Sequence, residues 1–148
     1  VSGGEVLAAV WVPGVPRTKG SLDARHQDTP QSKRWRQLVA AEVGRDARAR
    51  SGEMMGSTPG FTYAGPVAVR CVFVRADGVG DVDKLARCVL DALTDSRVIA
   101  DDVQVIKLHC WRIERIDGRG DGAFVLVETA NQGTLEGFGK MIESWMLR

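Results

Sequence analysis

The sequence predicts an α+β domain: a mixed β-sheet of about four strands with helices packed against it. Three observations lead there. Short valine-rich runs alternate with stretches whose apolar residues recur at helical spacing. Their order is β, α, β, α, β, β, α, which fits neither an all-helical nor an all-strand chain. The chain has 148 residues, the length of one ordinary domain, and its 44% hydrophobic and 26% charged residues suit a core buried in water.

The elements follow in order. Residues 6–12 are an apolar run closed by Pro13 and read as a strand. Residues 13–31 mix Pro, Gly, Arg, Lys, Asp and His without periodicity and read as a basic loop. Thr29-Pro30 has the form of an N-cap followed by proline in the first turn, opening a helix over about 30–49. Trp35, Leu38, Val39, Val43 and Ala47 share one face of it. Residues 51–64, with several Gly and Pro, read as a flexible loop. Residues 66–76 are a strand, 77–80 a turn, and 81–94 a helix on the spacing of Val82, Leu85, Ala86, Val89 and Leu93. Residues 103–113 are apolar on both alternations and are expected to form an inner strand covered on both faces. After a turn at 117–122, residues 123–129 form the last strand. Residues 130–148 are a helical extension whose stripe of Leu135, Phe138, Met141, Ile142 and Trp145 can pack on the domain or on a partner subunit. The whole of 1–148 reads as one domain with its core at about 6–129.

No apolar run approaches the ~18 residues of a membrane span. The N-terminus lacks the basic start of a signal peptide, and Glu5 interrupts it. Cys71, Cys88 and Cys110 are odd in number and far apart, the usage of reduced, buried thiols in a cytoplasmic protein. His26 and His109 have no metal-ligand spacing, and Trp11, Trp35 and Trp111 fall within elements as core candidates.

Net charge is +1, but unevenly spread: residues 1–50 carry +4 and residues 77–102 carry −4. Basic side chains gathered on one face can hold phosphates. Clustered aspartates repel one another unless a cation sits among them. The bland alternative is a solvated surface of mixed charge.

The informative segment is Gly80-Asp81-Val82-Asp83-Lys84-Leu85-Ala86-Arg87, then Asp91-Ala92-Leu93, then Asp101-Asp102-Val103-Gln104-Val105. Asp81 stands where a turn hands over to a helix, and Asp83 lies in its first turn. Asp101 and Asp102 stand where the next strand begins. If that strand pairs beside 66–76, its start is expected next to the helix start, gathering the carboxylates in one pocket. Two or three aspartates on rigid element ends suit a hard divalent cation such as Mg²⁺, which activates water and offsets charge in phosphodiester cleavage. The alternative treats Asp81 as an N-cap and Asp101-Asp102 as turn residues. Asp83, Arg87 and Asp91 share a helical face, so Asp91 is expected to orient Arg87. Asp95 and Asp77 read as solvated loop and turn residues.

These residues resemble the RusA-type Holliday-junction resolvases. Asp81, Asp83, Asp91-Ala92-Leu93 and Asp101-Asp102-Val103-Gln104-Val105 follow that family's pattern, as does the first loop Pro13-Gly14-Val15-Pro16-Arg17-Thr18-Lys19. The resemblance spans about 6–129. It implies a homodimeric, Mg²⁺-dependent endodeoxyribonuclease (Mn²⁺ as a substitute) that resolves four-way DNA junctions by paired symmetric nicks. Asp81, Asp83 and Asp102 would be the catalytic metal ligands. The family's helix lysine falls at Arg87, with Lys84 the nearby lysine; arginine can supply charge there but cannot shuttle a proton at neutral pH. Arg17, Lys19, Arg25, Lys33, Arg34 and Arg36 form the expected DNA-binding set. The competing readings are a broader branched-DNA or flap nuclease, a catalytically inactive junction-binding protein, and a structural dimer whose aspartates only cap helices.

Overall fold

The computed structural model describes residues 4–19, 29–55, 62–131, 133 and 135–148. Its elements are β1 (Val6–Pro13), α1 (Pro30–Met55), β2 (Val67–Val74), α2 (Val82–Asp95), a 3₁₀ turn (Asp102–Gln104), β3 (Val105–Ile113), β4 (Gly122–Thr129) and α3 (Leu135–Met146). The fold is the α+β arrangement expected, with one mixed four-stranded sheet in the order β1-β4-β2-β3.

The two central strands are the most buried. β2 is buried at Val67, Val69, Cys71 and Phe73, and β4 at Ala123, Val125 and Val127. These alternate residues face α1 and α2 and form one core with Val39 and Val43 of α1 and Leu85, Val89, Ala92 and Leu93 of α2. Thr29 caps α1 as expected, its hydroxyl accepting the Ser32 N–H at 3.3 Å.

Three expectations are corrected. α1 continues to Met55, into the range expected as a flexible loop (51–64); residues 56–61 lie outside those described. The strand expected from 103 begins at Val105, because Asp102–Gln104 wind into a 3₁₀ turn. β3 is an edge strand, not an inner one, and most of it is exposed on both faces. The reason is topological: β4 inserts between β1 and β2 and takes the central place. Trp111 is accordingly 51% exposed on the face opposite the helices, whereas Trp35 is buried at 4%. Cys71 and Cys88 are buried free thiols, and Cys110 is half-buried.

The pairing of β2 with β3 positions the site. The two strands are parallel, with Val67 opposite Val105 and Val74 opposite Ile113. A parallel pair needs a crossover, and α2 is that crossover. The start of α2 therefore lies by the end of β3, and the start of β3 lies by the end of α2.

Candidate active site

The first acidic pole stands at the start of α2. The turn before it uses Gly78 at φ +64° and Gly80 at φ +110°. The second value belongs to a region L-residues avoid, so glycine is what lets the chain swing into the helix there. Arg112 fastens this turn to the end of β3, its guanidinium donating to the Gly80 carbonyl at 2.7 Å. Asp81 occupies the N-cap position in extended conformation, but its side chain caps nothing. Its carboxylate lies 3.4 Å from Lys84 Nζ, at the exposed surface. Asp83 follows in the first turn, where negative charge suits the helix end. Asp81, Val82 and Asp83 line a shallow hollow with Cys110, Trp111 and Arg112.

The second pole stands at the other end of α2. Asp101 caps the 3₁₀ turn, accepting the Val103 N–H at 2.9 Å. Gln104 completes a capping box: its Oε1 accepts the N–H groups of Ala100 (2.8 Å) and Asp101 (3.1 Å). Its Nε2 donates to the carbonyls of Tyr63 (2.8 Å) and Gly65 (2.9 Å), tying the turn to the segment that leads into β2. Asp102 shares a hydrogen bond with Asp101, which raises its carboxyl above the ordinary range; burial and the charges of Asp101 and Asp91 add to this, and Lys19 opposes it. Asp101 is held low, first by the Val103 N–H and then by Asp102. Asp101 and Asp102 line a hollow with Lys19, Arg36, Asp91, Thr94 and Asp95.

The expected convergence of Asp81, Asp83 and Asp102 is thus not found within one chain. The 14 residues of α2 span about 20 Å at 1.5 Å per residue. Among the described residues no three His, Cys, Asp or Glu side chains stand close enough to hold a metal ion. Carboxylate oxygens are the right donors for Mg²⁺, but a single chain does not assemble the set. The premise that failed was that the start of β3 lies beside the start of α2; parallel pairing puts it at the far end.

Between the poles runs a basic strip. Lys84 and Arg87 are exposed on α2. The first loop docks on the helix, the Lys19 N–H donating to the Lys84 carbonyl at 3.0 Å. Lys19 Nζ then reaches Asp91 at 2.7 Å, so Asp91 partners Lys19 rather than orienting Arg87. Asp95, expected as a solvated loop residue, ends α2 and holds Arg36 at 3.0 Å. Lys33 and Arg34 are exposed on α1, and Arg25 and His26 lie outside the described residues.

Sequence reasoning missed two residues here. Arg75 is 8% exposed. It grips the Asp77 carboxylate through Nε (2.8 Å) and Nη2 (3.1 Å) and donates through Nη1 to the Pro16 carbonyl at 2.9 Å. It thereby anchors the first loop, placing Arg17 in a hollow with Thr18, Thr29, Gln31, Ser32 and Gly80. The signal available was an arginine closing an apolar strand two residues before an aspartate. Gln104 was noticed only as part of a pattern, and its latch to Tyr63 and Gly65 has no sequence signature.

No protein-family model matches this chain, and no curated protein is significantly similar to it. No helix among the described residues is long and apolar enough to cross a membrane.

Proposed function

We propose that this protein is a cytoplasmic structure-selective endodeoxyribonuclease that nicks four-way DNA junctions as a homodimer, with Mg²⁺ or Mn²⁺ as its ion. One observation carries the reading: Asp81, Asp83, Lys84 and Arg87 are exposed along α2, with Lys19 docked on the helix beside Asp91 and the Asp101–Asp102 turn at its far end. Such an arrangement offers cationic arms for phosphates and hard oxygens for a divalent ion. The resemblance of these residues to the RusA-type pattern supplies the junction substrate and the dimer. Lys84, Arg87, Arg17 and Lys19 hold the backbone phosphates and offset charge on the cleaved one; such contacts position DNA without reading its sequence.

The split of the aspartates between two poles favours one competing reading, a junction-binding protein without catalysis. A nicking assay on a synthetic four-way junction, with and without Mg²⁺, separates them. The nuclease reading expects metal-dependent nicking by the wild type. It expects Asp83→Asn to lose nicking while binding the junction as well or better, since one negative charge near the phosphates is gone. Native-rate cutting by that variant overturns the site, and binding without cutting by the wild type establishes the competitor. Equal cutting of flaps and junctions identifies the broader branched-DNA nuclease.

A further inference from the structure

We infer that Cys71 and Cys110 are a redox-active pair, joined reversibly as a disulfide by hydrogen peroxide, in the wall of the hollow that holds Asp81 and Asp83. The pair stands on strand register and exposure; its effect on the chemistry of the hollow rests on the nuclease reading.

The two cysteines face each other as register partners on the parallel strands β2 and β3. Such partners point to the same side of a sheet. Both thiols therefore lie on the helix side, Cys71 within the core and Cys110 packed against it. Neighbouring strands run about 4.8 Å apart, inside the Cα separation of roughly 4.4–6.8 Å that a disulfide bridges. Both are free thiols. They share a hydrogen bond, which holds the Cys110 thiol below its ordinary range and raises that of Cys71, burial adding to the rise. Cys88, the third cysteine, is buried on α2 and belongs to no strand pair.

Exposure gives the two sulfurs different parts. Cys71 is 1% exposed. Cys110 is half-buried and lines the hollow with Asp81, Asp83, Trp111 and Arg112, so peroxide meets Cys110 first. The Cys110 thiolate attacks one peroxide oxygen, the O–O bond breaks, and a sulfenic acid and water result. The Cys71 sulfur then attacks the Cys110 sulfur. The S–S bond forms as the S–O bond breaks, and a second water leaves. Two thiols and one hydrogen peroxide thus give one disulfide and two waters; the sulfurs lose two electrons and the peroxide gains them. Side chains standing parallel at strand spacing keep their Cβ atoms farther apart than the ~3.8 Å usual in a disulfide. The bond therefore forms under strain and is readily reduced. Forming it draws the Cys110 sulfur out of the hollow's wall toward Cys71.

Peptide mapping tests the pair directly. Trypsin places the three cysteines in separate peptides, 71–75, 88–97 and 108–112. The native chain is treated with hydrogen peroxide, digested and read by mass spectrometry. The expected product is 71–75 joined to 108–112, with Cys88 still a thiol and the link released by dithiothreitol. In Cys71→Ala no link forms, and Cys110 runs on to the sulfinic acid. Should that variant lose its circular-dichroism spectrum, Cys110→Ala replaces it, and Cys71 is then expected to remain a thiol. A folded wild type in which Cys110 oxidises while Cys71 stays a thiol, or a link that includes Cys88, overturns the pair.

Junction nicking reads the hollow separately. The cross-linked wild type is expected to nick more slowly than the reduced chain and to recover in dithiothreitol. Unchanged nicking by the fully cross-linked chain overturns the coupling to the hollow. A wild type that forms the link but nicks no branched DNA when reduced refutes the nuclease reading and leaves the cysteine pair standing.

Discussion

Gln104 holds the Asp101–Asp102 turn in place, and its removal should be felt as stability. The side chain makes four hydrogen bonds, two accepted from Ala100 and Asp101 and two donated to Tyr63 and Gly65. In Gln104→Ala the N–H groups of Ala100 and Asp101, which are exposed, turn to water. The carbonyls of Tyr63 and Gly65 are half-buried and recover less. Counting a net contribution near 1 kcal/mol for each of the two donated bonds gives a loss of about 2 kcal/mol. For a chain of this size that lowers Tm by about 4–8 °C. Gln104→Glu sharpens the test. A carboxylate can still accept from the two N–H groups, but it cannot donate to the carbonyls, and it sets a third negative charge beside Asp101 and Asp102. It should be at least as damaging at pH 7 and should recover part of the loss near pH 4, where it is protonated and can donate once. Urea and thermal unfolding followed by circular dichroism measure both variants. A Gln104→Ala chain within about 0.5 kcal/mol of wild type, the scatter of ordinary surface changes, would refute the latch.

Three other perturbations have defined outcomes. In Gly122→Ala the new Cβ would collide with the Trp11 ring and lie 2.7 Å from the Val12 carbonyl oxygen; overpacking of this kind should cost about 1–3 kcal/mol and lower the urea midpoint. Lys19→Ala removes an exposed pair with Asp91, so stability should change by less than about 1 kcal/mol. Junction affinity, read by fluorescence anisotropy, should fall, and the slope of log affinity against log salt should shrink by about 1; an unchanged slope would remove Lys19 from the DNA interface. Asp77 is held below the usual carboxylate range, first by the Arg75 hydrogen bond and then by the Val79 N–H. Its folded pKa lies below its unfolded one, so its contribution is present above about pH 4 and is lost as pH falls through the folded value. The stability gap between wild type and Asp77→Asn should therefore be constant from pH 5 to 7 and close below about pH 4. A gap that persists undiminished to the acid limit would show that it has another origin.

The elements whose signal is local were legible in advance. The Thr29-Pro30 start of α1, the apolar spacing of α2 and the turn at 77–80 depend on neighbours in sequence, and each lies where local rules put it. The placement of β3 was not legible. Its apolar residues read as burial on both faces, yet strand order decides burial, and the insertion of β4 beside β2 is a long-range outcome. Charged partners were misassigned for a related reason. Spacing of four along α2 made Arg87 the natural partner of Asp91, but the first loop, fixed by Arg75 to Pro16 and by Lys19 to Lys84, brings Lys19 to Asp91. Helical spacing names the possible partners; tertiary contact chooses among them.

The separation of the two acidic poles follows from topology rather than from any side-chain choice. A helix that joins two parallel strands must carry the chain back to the end where the first strand began. Carboxylates that bracket such a helix, as Asp81 and Asp102 bracket α2, are held apart by its length, and no rotamer of an aspartate spans that distance. The two poles therefore have separate surroundings: Asp81 and Asp83 stand with Trp111 and Arg112, whereas Asp102 stands with Lys19, Arg36 and Asp91.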